Sequence, residues 1–175
     1  MRRFWIDTDT GSDDAVAIVM ALRHPGIQVE GISVVSGNVP MKAGSRNARH
    51  TVALCGEATP IYEGVERPLL REPIYAWLYH GEGGMSGMDI PEPPRPAESR
   101  HAVNALVEAV RAAPGEITLV ALGPLTNIAV ALRLAPDIAQ KIPHCYVMGG
   151  AAATLGNTTP AAEFNIWVDP EAAHA

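Results

Sequence analysis

Short apolar runs rich in β-branched residues alternate with longer amphipathic stretches along most of the chain. This alternation predicts strands separated by helices, and therefore a mainly parallel sheet with helices on both faces. The predicted strands are Arg3–Asp7, Ile27–Val35, Ile117–Leu122 and Cys145–Met148, with Pro60–Tyr62 as a weaker candidate. The predicted helices are Asp13–Arg23, Met41–Cys55, Arg100–Ala112 and Leu125–Leu134. The pattern predicts an α/β fold.

The segment from Glu63 to Ser99 interrupts this rhythm, because it contains no clear helix or strand pattern. A loop of this length inside a compact domain is usually functional or disordered. It contains His80–Gly87, four of whose residues are glycine, and glycine permits close backbone approach and movement. We therefore expect one domain over residues 1–175 in which 63–99 is a long active-site loop. A surface loop without a function is the alternative.

Four aspartates lie within the first fourteen residues, between the first predicted strand and the first predicted helix. They are Asp7, Asp9, Asp13 and Asp14. Carboxylates so close together repel one another, and apolar surroundings make their ionisation costlier still. A hard cation such as Ca²⁺ or Mg²⁺ would relieve this repulsion. The alternative is that Ser12 or Asp13 caps the helix, which leaves Asp7 and Asp9 unexplained.

Other polar side chains lie near strand ends, where parallel sheets bind their ligands. Asn38 follows the second strand and can bind hydroxyl groups, although a turn position beside Gly37 also favours asparagine. Glu163 and Asn165 point the same way if their segment is extended. In Gly123–Asn127, we expect Thr126 or Asn127 to cap the next helix. His80 is the best general-acid candidate by residue type.

Composition narrows the possible functions. The 175 residues are 47% hydrophobic and 18% charged, which is typical of a globular protein. A net charge of −6 argues against a nucleic-acid or anionic-membrane partner. Cys55 and Cys145 both lie in apolar sequence, so we expect buried free thiols. No apolar signal segment precedes Asp7, and we expect a cytoplasmic protein.

Taken in order, these segments resemble the inosine–uridine-preferring nucleoside hydrolases, which cleave the N-glycosidic bond of ribonucleosides with water. The ordered set is specific, although no single member of it is. The matching stretches are Asp7–Asp14, Val34–Asn38, His80–Met85, Gly123–Ala129, Met148–Gly150 and Ala162–Ala172. The resemblance implies a Rossmann-like open sheet, a ribonucleoside substrate and a homodimer or homotetramer.

The resemblance also implies individual roles. Ca²⁺ would be held by Asp9, Asp14 and the main-chain carbonyl of Leu122, while Asp13 would act as the base that activates water. Asp7 would support the site from behind, and His80 would lie beside the nucleobase. Other residues would bind the ribose or line its pocket. These are Asp9, Asn38, Met148, Asn157, Glu163, Phe164 and Asn165.

Members of this family continue beyond the segment that ends the chain, so we expect a C-terminal part to be missing. The first alternative is therefore a truncated, inactive remnant that at most binds Ca²⁺ or ribose weakly. The second is a haloacid-dehalogenase-type phosphatase, in which Asp7 would be the nucleophile and Asp9 the acid/base. That alternative leaves Asp13, Asp14 and Glu163 without a role.

Overall fold

Five parallel strands form a single sheet in the computed structural model, which describes residues 1–175. The strands are β1 Arg2–Thr8, β2 Ile27–Val34, β3 Ile61–Glu63, β4 Ile117–Ala121 and β5 His144–Val147. Their spatial order is β3-β2-β1-β4-β5, so the N-terminal strand lies at the centre of the sheet. The predicted α/β fold with a parallel sheet is confirmed.

Seven α-helices and one 3₁₀ helix surround this sheet. The α-helices are α1 Ser12–Arg23, α2 Met41–Leu54, α3 Trp77–His80, α4 Ala102–Ala112, α5 Thr126–Leu134, α6 Phe164–Val168 and α7 Pro170–His174, and the 3₁₀ helix is Pro136–Lys141. None of them is long and apolar enough to cross a membrane.

Successive side chains of β1 point to opposite faces of the sheet, and each face has its own core. Trp5 packs with Leu119 and the apolar faces of α4 and α5. Ile6 packs on the other face with Ile32 and with residues of α1 and α2. The sheet is thus buried on both sides around β1, as is usual for a parallel sheet.

The edge strand β5 is much less covered. Its four residues are exposed, and it pairs with β4 alone. Cys145 is therefore an exposed thiol, whereas Cys55 is buried as expected. The prediction of two buried cysteines was wrong for Cys145, because apolar sequence around a residue does not reveal whether its strand lies at an edge.

The long segment after β3 has one regular element that the sequence pattern did not reveal. This is α3, a single turn over Trp77–His80. The Ala76 amide just before it donates to the main-chain carbonyl of Asn38, at 2.9 Å, and so joins the segment to the end of β2. A four-residue helix is too short to produce a recognisable hydrophobic period.

Candidate active site

The carboxyl ends of β1, β2 and β4 meet at one edge of the sheet, beside a cavity of about 450 Å³. Most of the predicted site residues line this cavity, although they are far apart in sequence. Those residues are Asp13, Asp14, Asn38, His80, Leu122, Met148, Asn157, Glu163, Phe164 and Asn165. Asp7 and Asp9 do not line it, and both are fully buried.

Asn38 links the carboxylates of Asp9 and Asp14. Its main-chain N–H donates to Asp9 Oδ2 at 2.5 Å, and its side-chain Nδ2 donates to Asp14 Oδ2 at 3.3 Å. The Gly11 amide also donates to Asp14 Oδ2, at 2.9 Å. Gly11 is the N-cap of α1, so the predicted caps were wrong: Ser12 lies one residue and Asp13 two residues after the observed cap.

The Asp9 carboxylate lies between two glycines that approach it closely. A Cβ atom on Gly37 would come within 2.1 Å of Asp9 Oδ2, and one on Gly123 within 2.8 Å of Asp9 Oδ1. Real Cβ atoms do not tolerate such distances, so the carboxylate fits only because both turns lack side chains.

Gly37→Ala is therefore expected to displace Asp9 and to destabilise the fold by about 1–3 kcal/mol, the range found for overpacked interiors. Urea unfolding measures the loss. The control is Gly83→Ala, whose added methyl group would meet nothing nearer than Arg46 at 3.7 Å. Equal unfolding midpoints for the two variants would contradict this account of Gly37.

Burial raises the pKa of three carboxyl groups of the aspartate run. Desolvation raises the pKa of Asp7 and of Asp14 to about 7. Desolvation also raises the pKa of Asp9 well above its usual range, and the nearby charge of Asp14 adds to the effect. Protein groups alone thus leave the ionised forms of this cluster unfavourable.

The same cluster offers oxygen donors to a cation. Asp9 Oδ1 is buried and has no hydrogen-bond partner, an arrangement that is costly for a carboxylate oxygen. No three His, Cys, Asp or Glu side chains are grouped as a metal-binding cluster. A cation would therefore be held by Asp9, Asp14 and main-chain oxygen. Such oxygen donors fit a hard divalent ion.

The Leu122 carbonyl is the main-chain oxygen that the family resemblance implies. It lies just after β4 and accepts a hydrogen bond from Asn165 Nδ2 at 2.7 Å. A carbonyl oxygen has two lone pairs, so this bond leaves one for a second partner.

Asp13 differs from the buried aspartates because its side chain is 73% exposed, at the rim of the cavity. His80 lies next to it and is largely buried. The His80 ring nitrogen Nδ1 is 3.8 Å from Asp13 Oδ1 and 3.4 Å from the Ser12 hydroxyl. A carboxylate and an imidazole thus face the same space from different segments of the chain, as acid–base chemistry requires.

Glu163 and Asn165 lie together in the lining of the cavity, but their segment is not extended as predicted. Glu163 is the N-cap of α6, and its carboxylate accepts from the amides of Asn165, Ile166 and Gly150. Asn165 is already helical, so the extended geometry was wrong. Its Nδ2 donates to the carbonyls of Leu122 and Met148.

The remaining predicted pocket residues also lie in this wall. Met148 follows β5 and is half exposed, with its sulfur 3.2 Å from Asn165 Nδ2. Asn157 Oδ1 accepts from the Phe164 amide at 2.8 Å, which holds the 151–162 loop against the start of α6. Further wall residues were not predicted. They are Ala17, Ala76, Tyr79 and Thr158.

A buried polar network behind the site was missed. Asn127 Nδ2 donates to Asp7 Oδ1 at 2.8 Å, while its Oδ1 accepts from the Val65 amide. Thr126 donates to Asp169, which is fully buried. The prediction that Thr126 or Asn127 caps α5 was wrong, because these distant partners occupy both side chains. Their sequence spacing gave no sign of this role.

The comparisons with known proteins point to one family. Residues 4–175 match the family described as inosine-uridine preferring nucleoside hydrolase. The chain is 45% identical over 172 residues to the pyrimidine-specific ribonucleoside hydrolase RihB of Escherichia coli, with 98% of this chain and 55% of that protein covered.

Solved structures give the same result. A purine-preferring ribonucleoside hydrolase from Gardnerella vaginalis superposes with a TM-score of 0.94 at 36% identity, covering 98% of this chain and 56% of that one. A plant nucleoside hydrolase superposes with a TM-score of 0.94 at 39% identity, covering 98% and 55%.

The chain therefore spans about half the length of the relatives it matches, and over that half it shares the fold of the solved structures. This agreement removes the phosphatase alternative. The chain belongs to the inosine-uridine preferring nucleoside hydrolase family.

Proposed function

We propose that the protein hydrolyses the N-glycosidic bond of ribonucleosides in a Ca²⁺-dependent reaction that releases ribose and the free base. The observation that carries the proposal is the buried Asp9 carboxylate, whose unpartnered oxygen lies beneath a cavity lined by carboxylate, amide and imidazole groups. The relatives named above are ribonucleoside hydrolases, which supports this class of substrate.

Asp9, Asp14 and the Leu122 carbonyl would hold the cation. When bound, Ca²⁺ would neutralise the paired carboxylates and acidify a nearby water. Asp13 would accept the proton of the attacking water, since its exposed carboxylate reaches the cavity without sharing the buried site.

Cleavage of the glycosidic bond builds positive charge on the sugar, and the carboxylates of this cavity would stabilise that charge. His80 would donate a proton to the leaving base, because its ring lines the cavity next to Asp13 and Ser12. The 63–99 segment would thus serve as an active-site loop, with Ala76, Tyr79 and His80 forming part of the wall.

Asn38, Glu163 and Asn165 would bind the ribose hydroxyls, and Asp9 would assist from below. Asn157 would hold the pocket wall in place, while Met148 and Phe164 would shape it and Asp7 would support Asp9 from behind. A deoxyribose would leave such buried polar groups unpaired, so we propose selectivity for ribonucleosides.

Hydrolysis of a nitrophenyl riboside tests the proposal. Turnover is expected with Ca²⁺ and is expected to disappear with a chelator. Ca²⁺ is also expected to raise the melting temperature, because a ligand at 100 times its Kd stabilises by about 2.7 kcal/mol. A Ca²⁺-induced rise without turnover would support a truncated remnant that still binds the ion. If Ca²⁺ produced neither turnover nor a rise in melting temperature, both proposals would be overturned.

The resemblance supports three further proposals. They are a role in nucleoside salvage, a cytoplasmic location, and assembly as a homodimer or homotetramer. Sedimentation of the purified chain tests the assembly, and a monomer at working concentration would contradict it.

A further inference from the structure

Asn47 connects two segments of the candidate site, although it lies on α2 and does not line the cavity. Its side chain is fully buried. The single amide nitrogen Nδ2 donates to the Thr10 carbonyl at 3.0 Å and to the Gly83 carbonyl at 2.8 Å. Thr10 belongs to the aspartate run, and Gly83 belongs to the loop that contains His80.

The loop over residues 80–87, here called the glycine loop, has few other attachments to the aspartate run. The polar contacts of His80 with Ser12 and Asp13 are long, at 3.4 and 3.8 Å. Ser86 touches the Ser12 hydroxyl at 3.3 Å, and Met85 packs on Ala15 in a small apolar cluster. The 2.8 Å bond from Asn47 to the Gly83 carbonyl is therefore shorter than any of the polar contacts between the glycine loop and Ser12 or Asp13.

Close packing around Gly84 reinforces this attachment. Gly84 has a φ of +81°, which favours glycine, and a Cβ there would come within 2.9 Å of Asn47 Nδ2. The loop backbone thus lies directly against the asparagine amide. A side chain at Gly84 would push the loop away from it.

The other end of the Asn47 amide has no partner. Oδ1 is buried without a hydrogen bond, which is a cost to the fold. The Asn47 side chain therefore stabilises the fold through its two donated bonds alone. One goes to a main-chain carbonyl of the aspartate run and the other to a main-chain carbonyl of the glycine loop. This arrangement is suited to holding two loops in register.

We propose that Asn47 is a positioning residue that holds the glycine loop against the aspartate run and so keeps His80 facing Asp13. The effect on the loop is a property of the fold, whereas the effect on turnover rests on the proposed function. The two effects are measured separately for that reason.

The variant Asn47→Leu keeps the branched shape and the number of side-chain heavy atoms, and it removes both donated hydrogen bonds. The matched control is Thr51→Val, one turn further along α2, which removes another buried hydrogen bond, from Thr51 Oγ1 to the Asn47 carbonyl. Hydrogen exchange is followed at the Gly84 and Ser86 amides, which bond to the Gly81 and His80 carbonyls inside the loop.

Exchange at these two amides is expected to be faster by about tenfold or more in N47L and unchanged in T51V, because local opening of the loop becomes easier. Equal exchange in N47L and the wild type, or equal acceleration in both variants, would overturn the proposal. If N47L does not unfold cooperatively, Asn47→Ser replaces it, since serine keeps a polar group but loses the reach to Gly83.

Turnover of the nitrophenyl riboside is the second measurement. N47L is expected to lower kcat with little change in KM, and the double variant N47L/H80A is expected to be no slower than His80→Ala alone. Additive losses would overturn the link to His80. Absence of wild-type turnover would count against the proposed function, while the exchange result would still decide the role of Asn47.

Discussion

Asp9→Asn is expected to stabilise the metal-free protein while it abolishes hydrolysis and the response to Ca²⁺. Burial raises the pKa of Asp9, so the ionised carboxylate lowers the stability of the fold at neutral pH. Asparagine carries no charge, and its Oδ1 can still accept the hydrogen bond from the Asn38 amide. The stabilised variant has lost a cation ligand, and we expect kcat/KM to fall by about 10³-fold or more.

Asp7→Asn is the matched control for this variant, because Asp7 is also fully buried and also has an oxygen without a partner. It too is expected to stabilise the metal-free protein, but to keep the rise in melting temperature that Ca²⁺ produces. Thermal unfolding of both variants with Ca²⁺ and with a chelator makes the comparison. A Ca²⁺ response that survives in Asp9→Asn would exclude Asp9 as a ligand.

Asp13→Asn is also expected to impair hydrolysis, but without a change in stability or in the response to Ca²⁺. Its side chain is 73% exposed, so loss of its charge changes the stability of the fold little. The Ca²⁺-induced rise in melting temperature is expected to remain. The value of kcat is expected to fall by about 10²–10⁴-fold, the range for removal of a general base.

Steady-state kinetics and thermal unfolding together test Asp13. The control is Asp89→Asn. Asp89 is also exposed but lies in the 63–99 segment and does not line the cavity, so this variant is expected to behave as the wild type. If Asp13→Asn retained full turnover, the proton acceptor would have to be another group. If it lost the Ca²⁺ response, Asp13 would belong with the buried ligands.

The five strands and the four longest helices could be predicted to within two residues, because short apolar runs mark the strands, longer amphipathic stretches mark the helices and turns mark their ends. The helices α3 and α6 and the 3₁₀ helix Pro136–Lys141 were not predicted, since elements this short show no clear hydrophobic period. The aspartate run and Asn38 followed from strand positions, since ligand-binding residues of parallel sheets follow strand ends, and Asp9 and Asn38 lie after β1 and β2. The Leu122 carbonyl, which follows β4, came only from the family resemblance.

The supporting residues could not be predicted from the sequence. Asn47 and Asn127 lie within amphipathic helices, where an asparagine usually indicates a surface position or a helix end. Their roles depend on partners 36 and 120 residues away. Cys145 was misjudged for a related reason, because strand order, and not local composition, decides which strand lies at an edge.

The central position of β1 also determines when the site can form during folding. One neighbour of β1 is β2, which follows soon after it in the chain, but the other is β4, which begins at Ile117. Contacts at such large separations form slowly, because a long loop must close first. A growing chain has therefore made its aspartate run long before Asn127 and Gly123 exist to enclose Asp7 and Asp9. We expect these two carboxylates to stay hydrated until β4 pairs with β1.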